Sequence, residues 1–129
     1  MTEEKKYKIL LVDDDKFLLD MYALKFKAAG HEAFTSANTA ETLQRLRDGD
    51  KFEIILLDII MPGMDGLELL ETIKKEKLAE GATIIMLTNE SDQEKISKAK
   101  SLGVSGYIVK ATLIPSEVVE EVIKIVKNN

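Results

Sequence analysis

Five short apolar runs punctuate the chain: YKILLV at 7–12, EAFTS at 32–36, EIILLD at 53–58, TIIMLT at 83–88 and GYIVK at 106–110. Most are near-continuous in Ile, Leu and Val rather than alternating. That is the pattern of strands buried on both faces, as in a parallel sheet. Stretches with helical spacing separate them. Residues 15–29 place Phe17, Met21, Leu24 and Ala28 on one stripe, the apolar face expected of an amphipathic helix, and Gly30 supplies a stop. Residues 39–48, 66–77 and 92–102 follow Asn38, Asp65 and Ser91, with Glu41, Glu68 and Glu94 three positions on. Each of these starts has the look of a capping box. The last helix, 116–127, carries Val118, Val119, Val122 and Val126 on one side, with Pro115 at its start, where a missing N–H costs nothing.

The order is therefore a strand followed by a helix, five times over. Each connection is long enough for a helical crossover, as parallel pairing requires, and the alternation predicts an α/β fold with helices on both faces of the sheet. Right-handed crossovers leave few topologies. At 129 residues the chain has room for one domain. With no cysteine, disulfides and thiolate metal sites are excluded. A net charge of −5 argues against a nucleic-acid-binding surface. The start, MTEEKKYK, is charged and lacks the apolar core of a signal peptide, and no run reaches the ~18 apolar residues that span a bilayer. The expectation is a soluble, cytoplasmic protein that does not engage membranes.

In such a fold a ligand site lies beyond the C-terminal ends of the strands, at a topological switch point. The first strand ends in Asp13-Asp14-Asp15, the third in Asp58, the fourth in Thr88 and the fifth in Lys110, while the second, ending near Ser36, brings nothing distinctive. If the first, third, fourth and fifth are neighbours, several carboxylates, a hydroxyl and an ammonium share one crevice. Two carboxylates about 4 Å apart repel by roughly 4 kcal/mol at an effective dielectric of 20, so such a group needs a cation. Oxygen donors alone point to Mg²⁺, or less selectively Mn²⁺ or Ca²⁺. A partly filled metal site beside a lysine and a hydroxyl is a receptor for a phosphoryl group. Asp58 then stands as a nucleophile able to form an aspartyl-phosphate. Each residue also has a plain reading: Asp13 to Asp15 can cap the first helix, which is the role expected of Asp15, Asp58 can be a turn residue, Thr88 a strand-end residue and Lys110 a surface lysine.

ILLVDDD (9–15), IILLDIIMPGMDGLELL (54–70), IIMLTNE (84–90) and GYIVK (106–110) together resemble the receiver domain of bacterial two-component response regulators, over about residues 7–127. The resemblance implies one flavodoxin-like domain with five parallel strands in the order 2-1-3-4-5. It implies Asp58 as phosphoacceptor, with Asp13, Asp14, Asp58 and the backbone carbonyl of Ile60 holding Mg²⁺. It further implies Lys110 pairing with the phosphoryl group, and Thr88 and Tyr107 as switch residues. The donor would be a phosphohistidine on a sensor histidine kinase or phosphotransfer protein, because the single histidine here, His31, starts the second strand, far from the catalytic edge. An output protein would bind the face made by residues 92–127, from a monomer or a phosphorylation-linked homodimer.

Three departures from the family's habit, at four positions, bear on the site. Ala111 follows Lys110 where receivers usually carry proline, often after a cis bond. A cis bond before a non-proline residue costs ~2.5–4 kcal/mol, so a trans bond is expected here and the reach of Lys110 is open. Asn89 follows Thr88 where a smaller residue is common, which could narrow access to the phosphoryl group. Ile60 and Glu90 occupy positions that vary across the family and tune phosphoryl lifetime. The chain ends soon after the fifth helix, so a stand-alone receiver, or one excised from a longer protein, is expected. Two other readings remain at this point. One is a receiver-like binding module that is never phosphorylated. The other is a phosphatase resembling the haloacid dehalogenases, with Asp13 as nucleophile and Asp15, Thr88 and Lys110 in support, which leaves Asp58 unexplained.

Overall fold

The computed structural model describes residues 5–129. The reading of MTEEKKYK lies partly outside the described residues. Five strands, β1 (Lys8–Val12), β2 (Glu32–Ser36), β3 (Ile54–Leu57), β4 (Thr83–Thr88) and β5 (Gly106–Val109), alternate with five helices. These are α1 (Lys16–Ala28), α2 (Thr39–Arg47), α3 (Gly66–Lys75), α4 (Gln93–Ser101) and α5 (Pro115–Lys127). The sheet order is β2-β1-β3-β4-β5 and every neighbouring pair is parallel. The expected flavodoxin-like topology is thus observed.

The continuous apolar runs arise because the sheet is covered on both sides. Ile9, Leu11, Ile54, Leu56, Ile85, Leu87 and Ile108 pack under α1 and α5, against Leu19, Tyr22, Phe26, Val118 and Val122. Their alternates Leu10, Val12, Ile55, Leu57, Ile84 and Met86 pack under α2, α3 and α4, against Leu43, Leu46, Leu69, Leu70, Ile73 and Ala99. Residues two apart share a face. Side chains just past the strands therefore inherit a side: Asp13, Asp58 and Lys110 continue the α1/α5 parity, and Thr88 the other.

Three expectations from spacing shift on the structure. The stripe of Phe17 and Leu24 on α1 faces solvent, at 73% and 66% exposure, while Leu19, Tyr22, Ala23 and Phe26 are buried. The helix carries two apolar sets with good spacing, and periodicity alone does not select between them. Second, α4 starts at Gln93 under Asp92, not under Ser91; Asp92 Oδ1 accepts from the Glu94 N–H at 2.9 Å. The N–H groups of Ser91 and Asp92 both donate to Glu90 Oε2, at 3.1 and 3.3 Å, which delays the helix by one residue. Third, the β4–β5 ladder ends at Thr88 opposite Val109, and Lys110 opens a 3₁₀ turn, Lys110–Thr112, instead of closing the strand. Asn38 and Asp65 cap α2 and α3 as read, Asn38 accepting from the Glu41 N–H at 2.7 Å and Asp65 from the Glu68 N–H at 2.9 Å. At α5, with Pro115 at its start as read, the Ile114 N–H donates to Glu117 Oε1 at 2.9 Å, a contact the spacing did not give.

Candidate functional site

Strands β1 and β3 are adjacent and in register, Val12 opposite Leu57, so the next residue on each, Asp13 and Asp58, emerges at the same level. The backbone anchors both: the Asp13 N–H donates to Ser36 O at 3.2 Å and the Asp58 N–H to Val12 O at 3.0 Å. Both carboxylates are buried, with each residue 4% exposed. Such burial is costly unless a partner is supplied. Lys110 supplies it, donating from Nζ to Asp13 Oδ2 at 2.5 Å and to Asp58 Oδ2 at 2.9 Å. The described residues contain no cis peptide bond. The Lys110–Ala111 bond is therefore trans, and Lys110 still reaches both acids.

The remaining carboxylate oxygens are also held. Asp13 Oδ1 accepts from the Asp15 N–H at 2.9 Å, and Asp58 Oδ1 from the Ile60 N–H at 3.2 Å. Asp15 itself turns away to cap α1, accepting from Leu18 at 3.1 Å. Asp14 is exposed, but one carboxylate oxygen each from Asp13, Asp14 and Asp58 lie within 4.8 Å of one another. This all-oxygen set fits a hard divalent cation by donor chemistry. One ammonium bridges two of the three carboxylates. Burial pushes the Asp13 carboxyl above the ordinary carboxylate range, against the pull of Lys110 and with a smaller push from Asp58. Burial works against the Lys110 ammonium, but hydrogen bonds to Asp13 and Asp58 outweigh it and raise its pKa.

Thr88 is fully buried. Its Oγ1 accepts from the N–H groups of Ile59 at 3.4 Å and Glu90 at 3.2 Å, which leaves its own hydroxyl proton to donate. Tyr107, half-buried, donates its hydroxyl to Glu90 O at 2.7 Å. Ile60 is 54% exposed beside Asp58. The structure thus brings together Asp13, Asp14, Asp58, Lys110 and Ile60, with Thr88 one strand over and Tyr107 behind the 89–92 segment.

Three residues were not singled out for these contacts. Gly66 begins α3 and donates to Ile59 O at 2.9 Å; a Cβ there would stand 2.0 Å from the Asp58 carbonyl oxygen. Glycine directly after the cap Asp65 was the available signal. Tyr22, from α1, feels the charges of Lys110, Asp13 and Asp58, and burial pushes its hydroxyl pKa up; nothing in the sequence marks it. Asn89 turns its Oδ1 to the Ala111 N–H at 2.8 Å. At the opposite end of the sheet, His31 Nδ1 accepts from the Tyr7 N–H at 3.1 Å. A cavity of about 490 Å³ there, lined by Lys5, His31, Val119, Glu120, Ile123 and Lys124 among others, includes none of Asp13, Asp14, Asp58 and Lys110.

The family model described as "Response regulator receiver domain" matches residues 9–123. The chain is 33% identical over 102 residues to the phosphate regulon transcriptional regulatory protein PhoB of Pseudomonas aeruginosa, covering 79% of this chain and 44% of that protein. The chain thus spans less than half the length of that relative. It is 35% identical over 107 residues to the chemotaxis protein CheY-3 of Vibrio cholerae, covering 82% of each. Among solved structures, the response regulator protein TrrA from Thermotoga maritima, in complex with Mg²⁺-BeF, superposes with a TM-score of 0.76 at 32% identity, over 94% of this chain and 99% of that one.

Proposed function

The chain belongs to the response regulator receiver domain family, and from that premise we propose that Asp58 accepts a phosphoryl group from a phosphohistidine on a sensor histidine kinase or phosphotransfer protein. The observation that carries this reading is the position of Lys110 Nζ, hydrogen-bonded at once to Asp58 and Asp13 at the edge of a three-carboxylate cluster. An Asp58 carboxylate oxygen attacks phosphorus as the phosphorus–nitrogen bond breaks, and the departing imidazole keeps the electron pair. Negative charge then gathers on the phosphoryl oxygens, where Lys110 neutralises it. Asp13, Asp14, Asp58 and the Ile60 carbonyl would hold Mg²⁺, with Mn²⁺ as a substitute, which supplies further charge neutralisation when bound. The donor set supports a hard cation, and the Mg²⁺-BeF complex of the similar TrrA protein supports the same choice.

The switch follows from the two side chains behind the site. Thr88 donates its available hydroxyl proton to a phosphoryl oxygen and leaves the Glu90 N–H. Tyr107, tied to Glu90 O, then loses its present anchor geometry and turns inward. A group attached at Asp58 thus biases the face made by residues 92–127, which meets the output protein. A receiver is a signalling module, not a turnover enzyme. Among the described residues no helix is long and apolar enough to cross a membrane. The site does not favour the phosphatase reading, because Asp58, which that reading leaves idle, is bound to Lys110. The test is the intact mass after incubation with Mg²⁺ and acetyl phosphate. A gain of about 80 Da, one phosphoryl group, is expected in the unaltered protein and not in Asp58→Asn. No gain in a folded protein would move the reading to a receiver used only for binding.

A further inference from the structure

Lys110 does its work from an unsupported place. The ladder between β4 and β5 stops at Thr88 opposite Val109, so Lys110 lies one residue beyond the last paired position. Its stem is four carbons long and freely rotating, so the ammonium is only as well placed as the backbone beneath it. That backbone is a three-residue 3₁₀ turn closed by Leu113 N–H to Lys110 O at 3.3 Å. Val109, the residue before the turn, cannot cap it with a side chain. The Thr112 hydroxyl donates back to Val109 O at 2.8 Å. What ties the turn to the rest of the sheet is Asn89, whose Oδ1 accepts from the Ala111 N–H at 2.8 Å. Asn89 directly follows Thr88, and Ala111 directly follows Lys110. The bond therefore continues the β4–β5 connection one step past its last pair and joins the residue after the hydroxyl to the residue after the ammonium. It exists only because residue 111 keeps an N–H, which proline would lack.

We propose that Asn89 is a positioning residue for Lys110: its side-chain oxygen pins the Ala111 N–H and thereby holds the Lys110 ammonium between Asp13 and Asp58. This rests on the proposed role of Lys110 for its consequence in phosphoryl transfer, but not for the latch itself. Asn89 is exposed, so its replacement disturbs no packing. Asn89→Leu keeps the branching and similar bulk without an acceptor, and Asn89→Asp keeps an acceptor in the same place.

Three readouts on the full chain test the latch. Amide exchange at Ala111 is expected to speed up by about fivefold to tenfold in Asn89→Leu, as loss of one hydrogen bond implies, and to return near the original rate in Asn89→Asp. Acylation of Lys110 by a small amine-reactive reagent, read by peptide mass, is expected to rise in Asn89→Leu and to fall back in Asn89→Asp. Unchanged exchange at Ala111, or unchanged Lys110 labelling, in a folded Asn89→Leu protein overturns the proposal. So does failure of Asn89→Asp to restore both. The third readout is the rate of modification by acetyl phosphate with Mg²⁺, expected to fall severalfold in Asn89→Leu. If the unaltered protein takes up no phosphoryl group while exchange and labelling respond as stated, the latch stands and the proposed function fails.

Discussion

Gly66→Ala sets two physical effects against each other with opposite signs. Gly66 is the first residue of α3. In an exposed helix interior, alanine in place of glycine gains about 0.5–1 kcal/mol, and less at a first-turn position. Packing says the reverse. The added Cβ would lie 2.0 Å from Asp58 O, 2.8 Å from Asp58 C and 2.8 Å from the Ile59 Cα. All three are backbone atoms, so no rotamer change relieves the contact. Ordinary carbon–oxygen contact needs more than a further ångström, and either α3 or the end of β3 must move by that much. Overpacking of this kind costs typically 1–3 kcal/mol, occasionally more. The net expectation is a loss of about 1–3 kcal/mol, or roughly 4–10 °C in Tm for a chain of this length. The segment that moves carries Asp58, and a misplacement of about 1 Å at a reacting group can cost on the order of 100-fold in rate. Gly63→Ala is the control. It lies in the loop before α3 at φ +77 with nothing within 4 Å, so only the left-handed conformation is penalised, by roughly 1–2 kcal/mol. Thermal unfolding and the rate of acetyl phosphate modification, measured on both variants, decide the matter. A Gly66→Ala protein as stable as the parent, with an unchanged rate, would refute the close approach as the reason for this glycine.

Removing the ammonium with Lys110→Ala leaves Asp13 and Asp58 buried and unpaired. Stability without metal should fall by about 3 kcal/mol, with part of the loss recovered on adding Mg²⁺, as chemical denaturation with and without EDTA will report. Burial holds the Asp13 pKa above its unfolded value. Its contribution to stability is therefore fully present below the unfolded pKa and is lost as pH rises through the folded one. Metal-free Asp13→Asn should accordingly be more stable than the parent at neutral pH, with a flatter profile as pH rises above the ordinary carboxylate pKa; equal stability across that rise would contradict the burial argument. Tyr107→Phe deletes the 2.7 Å hydrogen bond to Glu90 O, at a cost of about 1 kcal/mol, and the amides of residues 89–92 should exchange faster than those of the distant α2.

Fold and acidic site were legible in the sequence for a shared reason. A doubly covered parallel sheet demands unbroken apolar runs, and the first polar residue after such a run marks the ligand-facing edge. Asp13 after ILLV and Asp58 after IILL are read in that way without any coordinates. The face of α1 was not legible, because Phe17, Met21, Leu24 and Ala28 are spaced as well as Leu19, Tyr22, Ala23 and Phe26. Only the position of the sheet decides between them. Capping was readable to within one residue and failed at α4, where the Glu90 carboxylate captured two N–H groups that the sequence assigned to no one. Gly66 and Asn89 escaped for a different reason. Their roles are contacts with backbone atoms of other segments, and spacing carries no record of such contacts.

The parity of the sheet explains why an acid–lysine pair and a hydroxyl can be coupled without competing. Asp13, Asp58 and Lys110 continue the side of the sheet that packs on α1 and α5, and they satisfy one another. Thr88 continues the other side and is held by backbone N–H groups of Ile59 and Glu90. In the present state the two groups are separate. Ile59 directly follows Asp58, so the residue next to Asp58 holds the hydroxyl oxygen in place. A group added to Asp58 that accepts the Thr88 proton draws the hydroxyl across the top of β3 and releases the Glu90 N–H. Glu90 O anchors Tyr107 and Glu90 Oε2 anchors the start of α4. In the proposed function, the charge at Asp58 and the face beyond Glu90 are therefore joined through one hydroxyl. Thr88→Val, which keeps the shape and removes the donor, separates the two: uptake at Asp58 should persist while the response of the 89–92 amides to that uptake is lost.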